Sequence, residues 1–237
     1  MNILMLMMGG TGERFGANIP KQYIMIENSP IFTYIVEKYS LISEIDSVIL
    51  VSHKDWIPFV SEWIRKKDIC KKCYVISGGF SRSESVLNGL NKAIELSTGN
   101  DDIILIHDAT HPYVDIPGTL EIIEAARKYG GSTLGGCQYD TMYLTDKNNM
   151  ISKVLPRENV VSGASPEAFL LKQIYEISHN ASINELKQMT SAGAIARSYG
   201  IEMKVIPSNI LNLKITYPSD LELFKKLFKN YFFDCEE

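Results

Sequence analysis

The sequence predicts an α/β fold built on a largely parallel sheet, and three observations predict it. Short apolar runs recur along the chain with helix-like segments between most of them. The first run leads directly into a glycine-rich loop. The remaining polar clusters fall just after apolar runs, where ligands sit in open sheets of this class.

Taken in order, strand-like runs are expected at Ile3–Met8, Ser47–Ser52, Lys72–Ile76, Ile103–His107, Gly131–Cys137 and Glu202–Ile206. Pro30 to Leu41 reads as a helix, with Ile31, Tyr34, Ile35 and Lys38 marking one side. Trp56, Phe59 and Trp63 form an apolar helical stripe of the kind that packs into a core. Ser81 to Ser97 is a further helix, carrying Val86, Leu90, Ala93 and Ile94 at helical spacing, and Ser81 with Glu84 has the spacing of a capping box. Tyr139 to Val161 breaks the alternation: two extended stretches flank Asp146-Lys147-Asn148-Asn149, a turn-forming cluster, so an arm at about 138–160 is expected to project as a β-hairpin. Such an arm either folds over its own active face or reaches a second subunit. Asn209 to Thr216 reads as a strand whose polar side carries Asn212, Lys214 and Thr216. Pro218 to Phe233 closes the chain as a helix, with Thr216 and Ser219 as candidate caps.

With 237 residues, 45% hydrophobic content and a net charge of −4, the chain is expected to form a single domain over residues 1–237. The densest basic run, Arg65-Lys66-Lys67 followed by Lys71-Lys72, reads as a solvated helix end and loop, so nucleic-acid binding is not expected. Cys70-Lys71-Lys72-Cys73 has no second half at metal-ligand spacing, and free thiols are expected. No apolar stretch has the length of a membrane span, and residues 3–8 lack the features of a signal peptide. A cytoplasmic protein without a membrane partner is the expectation.

Residues 9–22, Gly-Gly-Thr-Gly-Glu-Arg-Phe-Gly-Ala-Asn-Ile-Pro-Lys-Gln, carry the first chemical signal. Gly9, Gly10, Gly12 and Gly16 remove side chains that would keep a backbone from a polyphosphate, and Arg14 and Lys21 bring two cations to it. A Walker loop is excluded because Lys21 follows Pro20 and precedes Gln22, and the dinucleotide fingerprint misses its last glycine. A second signal is Gly78-Gly79-Phe80-Ser81-Arg82-Ser83-Glu84-Ser85, which enters a helix whose amino end could meet a base or phosphate. A third is His107-Asp108-Ala109-Thr110-His111-Pro112, where Asp108 is a candidate Mg²⁺ ligand shared with phosphate oxygens.

In order, Gly-Gly-x-Gly-x-Arg-Phe-Gly with Pro-Lys-Gln-Tyr, Gly-Gly with Arg and Ser-Val-x-x-Gly-Leu, His-Asp-Ala, Asp-Thr-Met, Ser-Pro-Glu-Ala-Phe and Asn-Leu-Lys-Ile-Thr with Asp-Leu run from Asn2 to about Phe228. This order resembles the cytidylyltransferases that act on methylerythritol phosphate and ribitol phosphate. The resemblance implies a Rossmann-like nucleotidyltransferase that joins CTP to an alcohol phosphate with Mg²⁺ and releases pyrophosphate. By similarity Arg14, Lys21 and Lys214 are the catalytic cations. Met8, Gly9, Gly10, Thr11, Gly12, Gly79 and Ser85 would hold the nucleotide, with the Met8 and Gly9 backbone, Gly79 and the Ser85 hydroxyl reading the cytosine. Asp108, His111, Thr141, Arg157, Ser165 and Thr190 would form the acceptor side, with Asp108 also the metal ligand. The arm resembles the family's dimerisation hairpin, which implies a homodimer whose Arg157 enters the partner's acceptor site.

The departures fall on the acceptor side. His111 stands where the family usually has an arginine, Thr190-Ser191 where Thr-Asp is usual, Tyr143 where methylerythritol enzymes tend to carry a basic residue, and Ser165 in place of a threonine. These departures, with the weaker signal of His53-Lys54-Asp55-Trp56, turn the expectation toward a polyol phosphate such as ribitol 5-phosphate. The methylerythritol enzyme and a non-catalytic nucleotide-binding homologue are the alternatives.

Overall fold

The structure, a computed structural model, describes residues 1–10, 15, 19–188 and 191–232. The described strands are β1 (Asn2–Met8), β2 (Met25–Ile26), β3 (Ser29–Pro30), β4 (Ser47–Ser52), β5 (Lys72–Ser77), β6 (Ile103–Asp108), β7 (Gly130–Cys137), β8 (Met142–Thr145), β9 (Ile151–Leu155), β10 (Val161–Leu170) and β11 (Glu202–Pro207). The helices are α1 (Ile31–Ser40), α2 (Ile57–Lys66), α3 (Arg82–Leu96), α4 (Ile116–Tyr129), α5 (Leu171–Asn180), α6 (Ile183–Gln188), α7 (Ala192–Ser198) and α8 (Pro218–Phe232).

Seven strands form one sheet in the order β11-β7-β10-β6-β1-β4-β5. β5, β4, β1 and β6 run parallel, β10 is antiparallel to both of its neighbours, and β11 is parallel to β7. β1, β4 and β6 are apolar apart from residues at or near their ends, because both faces are covered, as parallel sheets require. Alternation along β1 divides the core: Leu4, Leu6 and Met8 pack with α1, α4 and α8, while Ile3, Met5 and Met7 pack with α3, α5 and α7. Helix α4 ends at Gly130, whose φ of +94° is open to glycine at little cost, and the chain turns there directly into β7.

The strands expected from apolar runs are all present, within a residue at each end. β10 was not among them. Its sequence, Val-Ser-Gly-Ala-Ser-Pro-Glu-Ala-Phe-Leu, is interrupted by Gly163 and Pro166, and the ladder to β7 shifts register between Ala164 and Glu167. The expected strand at Asn209 to Thr216 is irregular instead. Its Leu213 N–H turns back to the Leu211 carbonyl, Leu211 is exposed, and only the Ile215 N–H reaches the Thr110 carbonyl. At the start of α8 neither Thr216 nor Ser219 caps: the Asp220 carboxylate accepts from the Thr216 and Tyr217 N–H groups at 2.8 Å each. The tryptophan stripe packs as expected, with Trp56 stacked on Tyr23 and edge-on to Phe59.

The arm is a hairpin of β8 and β9. Asp146 organises its turn, one carboxylate oxygen accepting from the Asn148 and Met150 N–H groups at 2.8 and 2.9 Å. Cys70, Cys73 and Cys137 carry free thiols, and no described helix is long and apolar enough to cross a membrane.

Candidate active site

The carboxyl ends of β1, β4, β5 and β6 open on a cleft of about 670 Å³ lined in part by Met8, Gly9, Gly10, Lys21, Gln22, His53, Gly79, Arg82, Ser85 and Asp108. The parallel register of these four strands fixes the arrangement, because each strand delivers its next residue to the same edge.

One wall is the amino end of α3. Ser81 caps it by accepting from the Glu84 N–H at 3.1 Å, but Glu84 reaches back to the Phe80 N–H at 2.8 Å, one residue earlier than in a reciprocal box. The Ser85 hydroxyl donates to the Ser81 carbonyl at 2.9 Å and accepts from the Gly79 N–H at 3.0 Å. It keeps one lone pair for a donor in the cleft. A Cβ at residue 78 would lie 2.8 Å from that hydroxyl oxygen, so Gly78 is needed for this close approach.

Met8, Gly9 and Gly10 line the opposite wall, where the backbone is held from below. Gln22 donates to the Met8 and Gly10 carbonyls at 2.7 and 2.8 Å, and the Tyr23 hydroxyl reaches the Met8 carbonyl at 2.8 Å. The Met8 carbonyl therefore has both lone pairs occupied, and the cytosine contact expected of the Met8 backbone cannot come from that oxygen.

At the far end of the cleft the Asp108 carboxylate lies between two cations, 3.1 Å from Arg82 Nη2 and 3.4 Å from Lys214 Nζ. Burial works to raise its pKa, but Arg82 and Lys214 outweigh burial and hold it below the ordinary carboxylate value. Its backbone N–H donates to Ser165 Oγ at 3.3 Å, and its carbonyl accepts from the His111 N–H at 2.9 Å. The His111 imidazole is half-buried. Burial, then His107, then the charge of Lys214 push its pKa down to about 4, against a smaller opposing pull from Asp108. A pKa this low leaves the His111 ring neutral at pH 7. His107 below it is buried, bonded to the Tyr39 hydroxyl at 2.9 Å and the His111 carbonyl at 2.8 Å, and burial lowers its pKa to about 4 as well.

Of the residues expected here, Met8, Gly9, Gly10, Lys21, Gly79, Ser85 and Asp108 line one cleft, with Lys214, His111 and Ser165 joined to it through Asp108. Thr11, Gly12, Arg14 and Thr190 lie outside the described residues. Thr141 and Arg157 are exposed on the arm, outside the described lining, and Arg157 donates to the Tyr139 carbonyl at 2.7 Å. Sequence reasoning gave no role to Arg82, Gln22, Tyr23 or Glu167. Arg82 carried a signal: a cation as the first residue of a helix opposes the helix dipole, so it needs an anionic partner. The half-buried Glu167 accepts from the Ala192 and Gly193 N–H groups at 3.1 and 3.0 Å and so fixes the start of α7; desolvation raises its pKa.

No group of three His, Cys, Asp or Glu side chains suited to a metal exists among the described residues, and Asp108 is the one carboxylate among the cleft residues described. That donor set fits Mg²⁺, which takes one or two carboxylates and completes its shell with substrate phosphates and water.

The model of the family described as IspD, 2-C-methyl-D-erythritol 4-phosphate cytidylyltransferase, matches residues 3–229. The chain belongs to this family. Within it, the chain is 28% identical over 228 residues to a ribitol-5-phosphate cytidylyltransferase of Vibrio parahaemolyticus, covering 96% of this chain and 95% of that one. Among solved structures, the 2-C-methyl-D-erythritol 4-phosphate cytidylyltransferase of Francisella tularensis is 26% identical with a TM-score of 0.75, over 94% and 97% of the two chains. The 4-diphosphocytidyl-2C-methyl-D-erythritol synthase of Anaerococcus prevotii, 20% identical over 96% and 98%, shares the fold with a TM-score of 0.79. As an IspD-family member the chain is a cytidylyltransferase with a Rossmann-like fold.

Proposed function

We propose that this cytidylyltransferase transfers CMP from CTP to a polyol phosphate, ribitol 5-phosphate first among them, acting as a homodimer with Mg²⁺. The observation that carries the acceptor assignment is the likeness to a ribitol-5-phosphate cytidylyltransferase along 96% of the chain. The departures from the methylerythritol pattern at His111, Tyr143, Ser165 and Ser191 support it.

In the proposed reaction a phosphate oxygen of the acceptor attacks the α-phosphorus of CTP in line. The new O–P bond forms as the bond to the bridging oxygen breaks, and pyrophosphate leaves with the electron pair. Positioning and cations supply most of the catalysis, since the protein has little covalent work to do. Gly79, Ser85 and the Gly9–Gly10 backbone are assigned to the base and sugar, and Lys21, with Arg14, to the triphosphate. Arg82 and Lys214 stand ready for an incoming phosphate, because Asp108 holds them together at the end of the cleft. Mg²⁺, when held by Asp108 and the phosphates, would offset the charge gathering on the leaving pyrophosphate. Thr141 and Arg157 are assigned to the acceptor site of the second subunit. The apolar faces of the β8–β9 arm support that assembly: Met150, Ile151 and Val154 are 67%, 59% and 58% exposed in one chain.

Pyrophosphate release with CTP and Mg²⁺, measured against ribitol 5-phosphate, glycerol 3-phosphate and methylerythritol 4-phosphate, tests the proposal. Turnover with ribitol 5-phosphate is expected. Turnover confined to methylerythritol 4-phosphate would contradict the acceptor assignment, and absence of turnover alongside CTP binding would favour a non-catalytic homologue.

A further inference from the structure

Gln22 is 3% exposed, and the two hydrogens of its carboxamide go to the two carbonyls that flank Gly9. Tyr23, the next residue, adds a third bond by donating to the Met8 carbonyl, and its ring is fixed by stacking on Trp56 at 4.5 Å between centroids and by a hydrogen bond of 2.8 Å with Ser52 Oγ. Lys21, Gln22 and Tyr23 form one short helical turn, so a single segment brings a cation to the cleft and takes two carbonyl oxygens out of play. Those oxygens matter because each is the negative end of a peptide dipole. Left free at the mouth of a polyanion pocket, they would oppose the charge the pocket has to hold. Gly10 lines the same cleft, and a Cβ there would meet no atom of the described residues within 4 Å.

We infer that Gln22 is a positioning residue for the backbone from Met8 to Gly10, holding the Met8 and Gly10 carbonyls so that neither faces a bound polyphosphate. The inference rests on the assignment of this cleft to the triphosphate of CTP. Its consequence is graded: the phosphates feel the orientation of both carbonyls directly, whereas the base keeps Gly79 and Ser85, which Gln22 does not touch. Glutamate is the sharpest substitution, because a carboxylate has the same shape, no hydrogen to donate at neutral pH, and a charge that repels both carbonyls.

The test is calorimetric titration of the whole protein and its Gln22→Glu and Gln22→Met variants with CTP, inorganic pyrophosphate and cytidine, each with Mg²⁺. Pyrophosphate and CTP are expected to bind about tenfold or more weakly to Gln22→Glu and about three- to tenfold more weakly to Gln22→Met, with cytidine within about twofold of wild type. Folded variants that bind pyrophosphate as wild type does would overturn the inference, as would an equal loss for cytidine and pyrophosphate, which would make Gln22 a general support of the fold. If Gln22→Glu and Gln22→Met do not fold, Tyr23→Phe carries the test, since it removes one bond of three and keeps the ring: pyrophosphate about two- to threefold weaker with cytidine unchanged is expected, and unchanged pyrophosphate binding overturns it. A wild-type protein that binds pyrophosphate but not CTP would refute the nucleotide assignment while the Gln22 comparison on pyrophosphate still decided this one.

Discussion

At the carboxyl ends of β1, β5 and β6 the polar groups are bonded to one another before any ligand arrives, whereas the β8–β9 arm leaves Tyr143, Leu144, Met150, Ile151 and Val154 each more than half exposed. The cleft is preorganised: Gln22 holds one wall, Ser81 and Ser85 hold the other, and Asp108 gathers two cations at the end. The arm has a well-made turn and nothing described to pack against. The described walls of the cleft proposed for the nucleotide come from one chain, while the arm's faces and its Arg157 await a second copy under the proposed assembly.

The largest expected effect is on the cleft side. Lys21→Ala and Lys214→Ala should each lower kcat by about 10²- to 10³-fold in steady-state pyrophosphate release, with thermal stability little changed, because each removes a cation from developing charge. A tenth of that loss would place the charge stabilisation elsewhere. Next, Ile151→Asp with Val154→Asp puts charges on the exposed arm, and light scattering should report a monomer. Activity should then fall by about 10²-fold through loss of the partner's Arg157, with CTP binding kept. A monomer of full activity would break the division between the two regions.

Much of this contrast was legible in the sequence. The helix cap at Ser81 and the hairpin turn at Asp146 depend on residue types with narrow backbone or capping preferences, and each lies where it was expected. What escaped depends on residues far apart in the chain. Gln22 is an ordinary polar residue until it is folded beneath Met8 and Gly10, and Arg82 meets Asp108 across 26 positions. β10 escaped because Gly163 and Pro166 break the apolar pattern that its two neighbouring strands nevertheless pair with. The segment from Asn209 alternated in sequence, but no neighbouring strand takes it into a ladder.

Smaller effects sharpen the picture. Ser85→Ala should raise KM for CTP by about tenfold and leave kcat and the acceptor KM alone, since it removes one hydrogen-bonding group from the base wall. An effect on kcat instead would move Ser85 toward the reacting phosphates. His111→Arg restores the family's cation beside Lys214 and should change the acceptor KM by about two- to fivefold, an effect that added salt should reduce. Stability should also respond to pH. His107 has an ordinary pKa of 6.5, lowered to about 4 by burial, so between those values the unfolded chain binds a proton that the folded chain refuses. Stability therefore falls as the pH drops from 6.5 to about 4, and His111 adds to the fall while the raised pKa of Glu167 opposes it. An imidazole resonance of His107 that titrates near 6.5 in the folded protein would contradict this account.

The most direct test mixes two inactive variants, Lys214→Ala and Arg157→Ala, under conditions where subunits exchange. A mixed dimer should contain one site with Lys214 from one chain and Arg157 from the other, so pyrophosphate release with CTP and ribitol 5-phosphate should return to a substantial fraction of the wild-type rate. If exchange is demonstrated and activity does not return, the acceptor half is not completed by the second copy's arm.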